Sequence, residues 1–285
     1  MVFTSTNAER AKIVAGTPVL QLVDCELRFG SRALWHGLTL DVRPGEFVAV
    51  LGANGSGKTT LLRAILGLQP VSQGRVLIDG APPRRGSPLV GYIPQERRLA
   101  PPTPLRARDL VQLGVDGARW GTGLRSAARR QLVQEALASV GAAHVADRPV
   151  HMLSGGEQQR VRIAQTLVTD PRLLLCDEPL LSLDLNHQRG VVRLIDARRR
   201  RHGTAVIFVT HEINPVLPYV DRVLYLAEGR FRTGTVDEVM TSATLSALYD
   251  APVEVLRLGG RVVVAGVPDG PAAEPHHDVT SEVVA

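Results

Sequence analysis

The chain has 285 residues and contains no long hydrophobic run. No apolar stretch approaches the ~18 residues that a membrane-spanning helix needs. The start of the sequence also lacks the basic and then apolar pattern of a secretory signal peptide. We therefore expect the protein to remain in the cytoplasm and to act at a membrane only through a partner.

Cysteine and lysine are both scarce. The two cysteines, Cys25 and Cys176, lie inside apolar segments, which predicts small core residues in a reducing compartment and argues against a disulfide or a metal site. Lys12 and Lys58 are the only lysines, and the net charge is +5. A basic balance permits nucleic-acid binding but does not demonstrate it.

The densest basic run, residues 198–201, closes a helical pattern and is followed by Gly203. Cations in a last turn and a glycine just beyond it are typical of a helix C-terminus. We interpret this run as a solvated helix end and not as a nucleic-acid patch.

Strand and helix patterns alternate along the chain. Residues 46–53, EFVAVLGA, form a continuous apolar run ending in glycine, as expected of a buried parallel strand. Helices are predicted after residue 58, from Thr103 and Pro104, over 126–141, from 154, and over about 186–202. Further strands are predicted over residues 19–29, 37–42, 74–80, 89–95, 172–179, 204–210 and 222–230, with a Gly-Gly hairpin over 253–265.

These patterns predict an α/β fold in which a mixed sheet is interrupted by an inserted helical subdomain. Loose tails are expected over residues 1–17 and 268–285, on either side of one domain over 18–267. Within that domain we expect a sheet-containing core over 18–96 and 168–235, a helical subdomain over 97–167 and a short C-terminal extension over 236–267.

Residues 52–60, GANGSGKTT, match the pattern G-x-x-x-x-G-K-[ST] directly after a buried strand and directly before a helix. In that context, glycines let backbone amides wrap around phosphate groups. Lys58 can neutralise the terminal phosphates and the Thr59 hydroxyl can bind Mg²⁺. We therefore expect a nucleotide site formed by Gly52, Asn54, Gly55, Ser56, Gly57, Lys58, Thr59 and Thr60.

Two adjacent acids, Asp177 and Glu178, end the apolar strand LLLCDEP. Successive strand residues point to opposite sides, so the two carboxylates are expected to differ in role. We assign Asp177 to Mg²⁺, through water, and Glu178 to the attacking water as general base.

Gln95 and His211 each follow a predicted strand, where the carboxyl ends of an open α/β sheet meet the nucleotide crevice. The amide of Gln95 can bind Mg²⁺ or orient water, and the imidazole of His211 can hold the γ-phosphate and the attacking water. Both residues are candidates for a catalytic role.

Residues 153–160, LSGGEQQR, place two glycines at the start of a predicted helix. Ser154 and Glu157 form the pattern of a capping box, with the serine as the N-cap. Gly155 and Gly156 each weaken a helix start by roughly 0.5–1 kcal/mol relative to alanine. They are explained if a ligand approaches the backbone, and a helix N-terminus favours a phosphate.

Over roughly residues 19–235 the chain resembles the ATP-binding subunits of ABC transporters. The resemblance identifies GANGSGKT as Walker A, Gln95 as the Q-loop, LSGGEQQ as the signature, LLLCDE as Walker B, SLD at 182–184 as the D-loop and His211 as the switch histidine. All six occur in the family's order. The resemblance implies the ABC ATPase fold, with ATP and Mg²⁺ as ligands and hydrolysis of ATP as the activity.

In that family, the signature of one subunit binds the γ-phosphate of an ATP held by Walker A of the other. The resemblance therefore implies a dimer with two shared sites. The residues that would meet ATP from a second copy are Ser154, Gly155, Gly156, Gln158 and Asp184.

The family also places an aromatic residue before the second strand, where its ring stacks on adenine. Phe29 fits this position, and Trp35 is the alternative. Leu180 and Leu181 depart from the commonest pattern, in which smaller or polar residues follow Walker B.

The resemblance implies a peripheral subunit at the cytoplasmic face of the membrane. It would dimerise on ATP and drive a separate permease, with a substrate-binding protein as an indirect partner. The segments HEINPVLPYVDRVLYLAEGR and LYDAPVEVLR resemble the branch that imports divalent metals such as zinc or manganese. Iron–siderophore import is the second possibility and export the third.

A different class of function, an ATPase acting on nucleic acid or the ribosome, is favoured only by the basic charge. Such proteins carry either two ATPase domains in one chain or a long coiled coil before the signature. This chain has one domain and no sustained heptads, so no nucleic-acid partner is expected.

Overall fold

The computed structural model of the protein describes residues 17–29, 32–95, 105–116, 127–181 and 183–266. The two predicted tails therefore lie outside the described residues, except for Thr17. The described strands are β1 Leu20–Phe29, β2 Arg32–Val42, β3 Phe47–Gly52, β4 Gln73–Ile78, β5 Val90–Ile93, β6 Leu173–Asp177, β7 Ala205–Val209, β8 Arg222–Ala227, β9 Arg230–Gly234, β10 Glu254–Leu258 and β11 Arg261–Ala265.

Helices lie between these strands and after the main sheet. The described α-helices are α1 Lys58–Ile65, α2 Ala107–Asp116, α3 Ala127–Ser139, α4 Gly155–Leu167, α5 Leu185–His202, α6 Val236–Val239 and α7 Ser242–Tyr249. Short 3-10 turns occur at Ala143–Val145, Val150–Met152 and Leu217–Tyr219. Among the described residues, no helix is both long and apolar enough to cross a membrane.

The main sheet has six strands in the order β5-β6-β7-β3-β8-β9. The first five are parallel, whereas β9 is antiparallel to β8. A smaller antiparallel sheet has the order β2-β1-β4, and β10 and β11 form a hairpin. Because parallel strands share one direction, the carboxyl ends of β5, β6, β7 and β3 lie at the same edge, where open α/β sheets bind ligands.

The two faces of the main sheet contribute to two apolar cores. Along β3, Phe47 and Leu51 belong to one core, which includes residues of α2 to α5, whereas Val48 and Val50 belong to the other, which includes α1 and the smaller sheet. Both sides of β3 are therefore covered, as its continuous apolar run predicted. The two free cysteines are buried, one in each core, as predicted.

Helices α2, α3 and α4 pack on one another. We predicted that the first of them begins at Thr103 and Pro104, two residues that lie outside the described ones. The helix begins instead at Ala107, because the chain just before it pairs with another segment. Leu105 accepts a hydrogen bond from the amide of Val150 (2.8 Å), and Arg106 forms an isolated bridge with Pro149.

The Gly-Gly hairpin at the end of the described chain is confirmed. Both turn glycines have positive φ, 55° for Gly259 and 76° for Gly260, as a two-residue hairpin turn requires. The Asn214 side chain donates to the Val262 carbonyl (2.9 Å) and accepts from the Val262 amide (2.8 Å). The hairpin is therefore attached to the loop that follows His211.

The basic run at the end of α5 is a helix C-terminus, as predicted, and Gly203 follows in the left-handed conformation (φ 65°). Our expectation that the whole run is solvated was wrong. Arg199 is buried and forms ion pairs with Asp196 and Asp221, and Arg198 forms one with Asp170. These internal pairs do not favour a nucleic-acid surface.

Candidate nucleotide site

The loop between β3 and α1 contains two glycines at positions where no side chain would fit. A Cβ on Gly52 (φ 142°) would lie 2.1 Å from the Leu226 carbonyl oxygen, and one on Gly57 (φ 96°) would lie 3.0 Å from Nε1 of Trp35. Both φ values also lie in a region that residues with side chains rarely adopt. This turn brings the backbone directly to the N-terminus of α1.

The N-terminus of α1 suits an anion. No side chain caps it, and no acidic residue lies in its first turn. The buried hydroxyl of Ser56 has no hydrogen-bond partner among the described residues, and Asn54 and Gly55 are exposed at the tip of the loop. Free backbone amides and an unpaired hydroxyl fit phosphate oxygens.

Lys58 is buried in the first turn of α1. Its Nζ donates to the carbonyl oxygens of Gly52 (2.7 Å) and Ala53 (3.0 Å). Burial lowers the pKa of this ammonium group, and the nearby charges of Glu178 and Asp177 oppose that shift. The loop therefore holds a cation whose desolvation an anionic ligand would offset.

Asp177, at the end of β6, is buried and accepts two hydrogen bonds. Its Oδ1 lies 3.5 Å from the Thr59 hydroxyl and its Oδ2 lies 3.1 Å from the Tyr92 hydroxyl. Burial raises the pKa of this carboxyl, and the hydrogen bonds from Tyr92 and Thr59 partly offset the effect. Hydroxyl and carboxylate oxygens are ligands that Mg²⁺ prefers, so the pair fits that ion.

Glu178 follows β6 with φ 49° and lies between two other candidate residues. Its Oε2 accepts from Nε2 of Gln95 (3.2 Å), and its Oε1 contacts Nε2 of His211. Its own amide donates to the Val209 carbonyl (3.0 Å), at the end of β7. The two adjacent acids therefore have different partners, and the different roles that we assigned to them stay a prediction.

The capping box at the start of α4 is confirmed. The Ser154 hydroxyl accepts from the Glu157 amide (3.3 Å), and Oε2 of Glu157 accepts from the Ser154 amide (2.9 Å). The Ser154 hydroxyl also donates to Oε2 of Glu157 (2.9 Å), and the hydrogen bonds that Oε2 accepts from the Ser154 amide and then from this hydroxyl lower the pKa of Glu157. Gln158 turns back and donates to the Leu153 carbonyl (3.0 Å).

The two glycines of this segment differ in their surroundings. A Cβ on Gly155 would have no neighbour within 4 Å, whereas one on Gly156 would lie 2.3 Å from Cδ2 of His187. The close approach that we predicted at Gly156 is therefore made, within the chain, by a histidine. Gly155 leaves the backbone accessible, as a phosphate contact would require.

Asp184 is the N-cap of α5 and is exposed. Its carboxylate accepts from the amides of Asn186 and His187, both at 2.9 Å, and contacts Nδ1 of His187 at 2.6 Å. The hydrogen bonds from the backbone and then the ring of His187 lower the pKa of this carboxyl. The preceding Ser182 lies outside the described residues.

The structure excludes one of the two candidates for contact with adenine and leaves the other untested. Trp35 is fully buried, which excludes its ring as an exposed platform for a base. Phe29 ends β1, but its side chain lies outside what the structure describes. Phe29 therefore remains a prediction.

Sequence reasoning missed three side chains that position this machinery: Tyr92, His187 and Gln159. Gln159 is buried in α4 and donates to the Pro179 carbonyl (3.1 Å), which links α4 to the residue after Glu178. The spacing of Asp184 and His187 is a signal for an N-cap contact, whereas nothing local in the sequence indicates the other two contacts.

At the shared edge of the parallel strands, the structure brings together Lys58, Thr59, Gln95, Asp177, Glu178 and His211. Ser154, Gly155, Gly156 and Asp184 lie at the starts of α4 and α5, linked by His187. A phosphate-binding loop after a buried strand, with a carboxylate pair on a nearby strand, defines the class of P-loop ATPases.

Comparison with known proteins defines the family. The family model for ABC transporters matches residues 35–181. An aliphatic sulfonates import ATP-binding protein of Pseudomonas fluorescens, SsuB 1, is 42% identical over 203 residues, 71% of either chain. A zinc import ATP-binding protein of Hahella chejuensis, ZnuC 1, is 36% identical over 209 residues, 73% of this chain and 74% of the relative.

A hemin import ATP-binding protein of Streptomyces coelicolor, HmuV, is 38% identical over 247 residues, 84% of this chain and 86% of the relative. Among solved structures, a chain described as part of an ABC transporter in an inward-facing conformation matches with a TM-score of 0.74 at 26% identity. That match covers 87% of this chain and 96% of the other. The chain therefore belongs to the ABC transporter family, as an ATP-binding subunit that hydrolyses ATP.

Proposed function

We propose that the chain hydrolyses ATP in sites shared between two copies and thereby drives a separate membrane permease in an import system. The observation that carries this proposal is the position of Glu178, held between Gln95 and His211 beside Lys58 of the phosphate loop. Phosphoryl transfer to water needs a base, polar side chains that orient the water, and a cation, and this arrangement supplies all three.

In the proposed reaction, the loop amides and Lys58 bind the β- and γ-phosphates of ATP. Glu178 accepts the proton of the attacking water, which Gln95 and His211 orient. Thr59, Asp177 and Gln95 would hold Mg²⁺, which when bound neutralises charge on the phosphates. Gly52, Gly57, Asn54, Gly55, Ser56 and Thr60 form the cradle, and the Phe29 ring stacks on adenine.

The second half of each site is proposed to come from the partner copy. The hydrogen bonds of Ser154 are made to Glu157 at the start of its own helix, and Gly155 has open space around it. This exposed start of α4 can receive the γ-phosphate of an ATP held by the other copy, with Gln158 and Asp184 at the same interface. A two-fold dimer then contains two equivalent sites.

Import as the direction is supported by the names of the relatives, each of which is an import protein. Those names differ in cargo: aliphatic sulfonates, zinc and hemin. Zinc or manganese is our proposed cargo, supported by the sequence resemblance and by the zinc import relatives. The permease, with a substrate-binding protein, would carry the ion, while this subunit stays at the cytoplasmic face of the membrane.

The cargo is tested by copurifying the permease with this chain and reconstituting both in vesicles. We expect ATP-dependent accumulation of Zn²⁺ or Mn²⁺. Accumulation of hemin, an iron–siderophore or a sulfonate in place of these ions would contradict the proposed cargo. Transport only in the opposite direction, from the ATPase side of the membrane to the side of the substrate-binding protein, would contradict import.

Tyr92→Phe tests whether the Tyr92 hydroxyl orients the Asp177 carboxylate for Mg²⁺. The change removes the 3.1 Å hydrogen bond to Oδ2, so the carboxylate is free to turn away from Thr59. Loss of such a partner to a metal-binding group costs about 10–100-fold in metal affinity. We expect the Mg²⁺ concentration for half-maximal ATPase activity to rise by about tenfold or more.

Tyr219→Phe is the matched control, because Tyr219 is half-buried and has no described bond to Asp177. An equal Mg²⁺ requirement in the two variants would show that Tyr92 does not orient Asp177.

A further inference from the structure

Asp184 fixes the ring of His187 in the first turn of α5. The Asp184 carboxylate accepts from the His187 amide (2.9 Å) and lies 2.6 Å from its Nδ1. Because a carboxylate can only accept, Nδ1 carries the proton in this contact. The other ring nitrogen, Nε2, then carries a lone pair in the neutral ring and can donate a hydrogen bond only in the imidazolium form.

The opposite edge of the same ring lies against the start of α4. A Cβ on Gly156 would stand 2.3 Å from Cδ2 and 2.7 Å from Nε2 of His187, so only glycine leaves room for the ring here. The His187 side chain is nevertheless 46% exposed. The imidazole therefore lies beside the backbone amides of the signature segment and is also open to solvent.

We propose that His187, in the first turn of α5, is a further phosphate-binding residue beside the signature, donating from Nε2 to the γ-phosphate of the ATP held by the other copy. The inference rests on the proposed function, since it needs the shared site. Donation from Nε2 requires the imidazolium, which would then lie between the Asp184 carboxylate and an anionic phosphate. Both neighbours stabilise a cation.

Asp184 is the charged group that contacts the ring directly. From α4, Glu157 is turned towards Ser154, His144 and Arg148, and Arg160 donates to the carbonyl of residue 140. Among the described residues, Nε2 of His187 has no hydrogen-bond partner, so this nitrogen is available to a ligand from outside the chain.

A hydrogen bond to a charged group corresponds to roughly a tenfold to hundredfold change in affinity. Loss of the His187 contact should therefore weaken ATP-driven dimer formation by at least about tenfold, and a side chain that can still donate should restore part of the affinity.

The experiment compares Glu178→Gln, which retains ATP, with the double variants that add His187→Gln or His187→Leu. Dimer dissociation constants with MgATP are measured by light scattering. We expect the leucine variant to dimerise at least about tenfold more weakly than Glu178→Gln, and the glutamine variant to dimerise more tightly than the leucine variant because its amide still donates. ATP affinity of the dilute monomer should be unchanged, since Walker A is intact.

Two results would overturn the inference and leave the proposed function standing: dimer constants for the leucine variant equal to those of Glu178→Gln, or equal weakening in the leucine and glutamine variants. A lower melting temperature of both nucleotide-free double variants identifies the second case as structural. Failure of Glu178→Gln itself to dimerise with MgATP would instead contradict the proposed function.

Discussion

Glu178→Gln should lower the ATPase rate by roughly 10²–10⁴-fold while ATP binding is retained. Glutamine has the shape of glutamate and can still accept a hydrogen bond from Gln95, but it cannot accept a proton from the attacking water. Because the phosphate loop is unaltered, the variant should bind MgATP and remain as a stable dimer. Phosphate release, equilibrium ATP binding and light scattering measure the three properties.

Glu212→Gln is the matched control. Glu212 is exposed and follows His211 directly, so the same chemical change is made one residue from the site. It should leave the rate within about twofold of the unaltered protein, as surface substitutions usually have small effects. Hydrolysis at the normal rate by Glu178→Gln would exclude Glu178 as the general base.

Lys58→Met should weaken ATP binding by about 10²-fold or more. Lys58 is the buried cation of the phosphate loop, and hydrogen bonds to charged groups contribute about 1.5–3 kcal/mol each. Methionine has a similar length but cannot bind phosphate. Since burial lowers the pKa of Lys58, the charged form is disfavoured without an anion, and the nucleotide-free variant should be no less stable.

Arg63→Met provides the comparison for this variant, because Arg63 is an exposed cation in the last turn of the same helix. Its ATP affinity should change by less than about threefold, as expected of a solvated charge. Equal losses of ATP affinity in the two variants would mean that general charge, and not the position of Lys58, holds the nucleotide. Thermal denaturation without nucleotide checks the stability of both.

The phosphate loop and its strand could be predicted because their information is local. The apolar run of β3, the glycines and Lys58 are contiguous, and the folded chain keeps that order as strand, turn and helix. The capping box of Ser154 and Glu157 is equally local and is confirmed. The C-terminal hairpin follows from Gly259 and Gly260 alone.

Tyr92 was missed because its role depends on the pairing of two strands. In the parallel register, Tyr92 is opposite Leu175, and Asp177 is two residues further along the same face of β6. Aligning the two strand patterns could have suggested this contact. Without the register, a tyrosine in an apolar strand has no distinguishing signal.

The contact between His187 and Gly156 could not be derived from spacing, because it depends on how α4 and α5 pack. The sequence indicated only that Gly156 needs a close neighbour, and a phosphate was the expected one. The start of α2 was mispredicted for a similar reason. Backbone pairing of Leu105 with Val150, remote in sequence, competes there with the local signal for a helix start.

The proposal that two copies share each ATP is tested most directly by the ATPase rate per subunit as the unaltered protein is diluted at saturating MgATP. Shared sites predict a rate per subunit that rises in proportion to subunit concentration when dimers are rare and levels off when they predominate. A rate per subunit that stays constant down to concentrations at which light scattering detects only monomers would contradict the account.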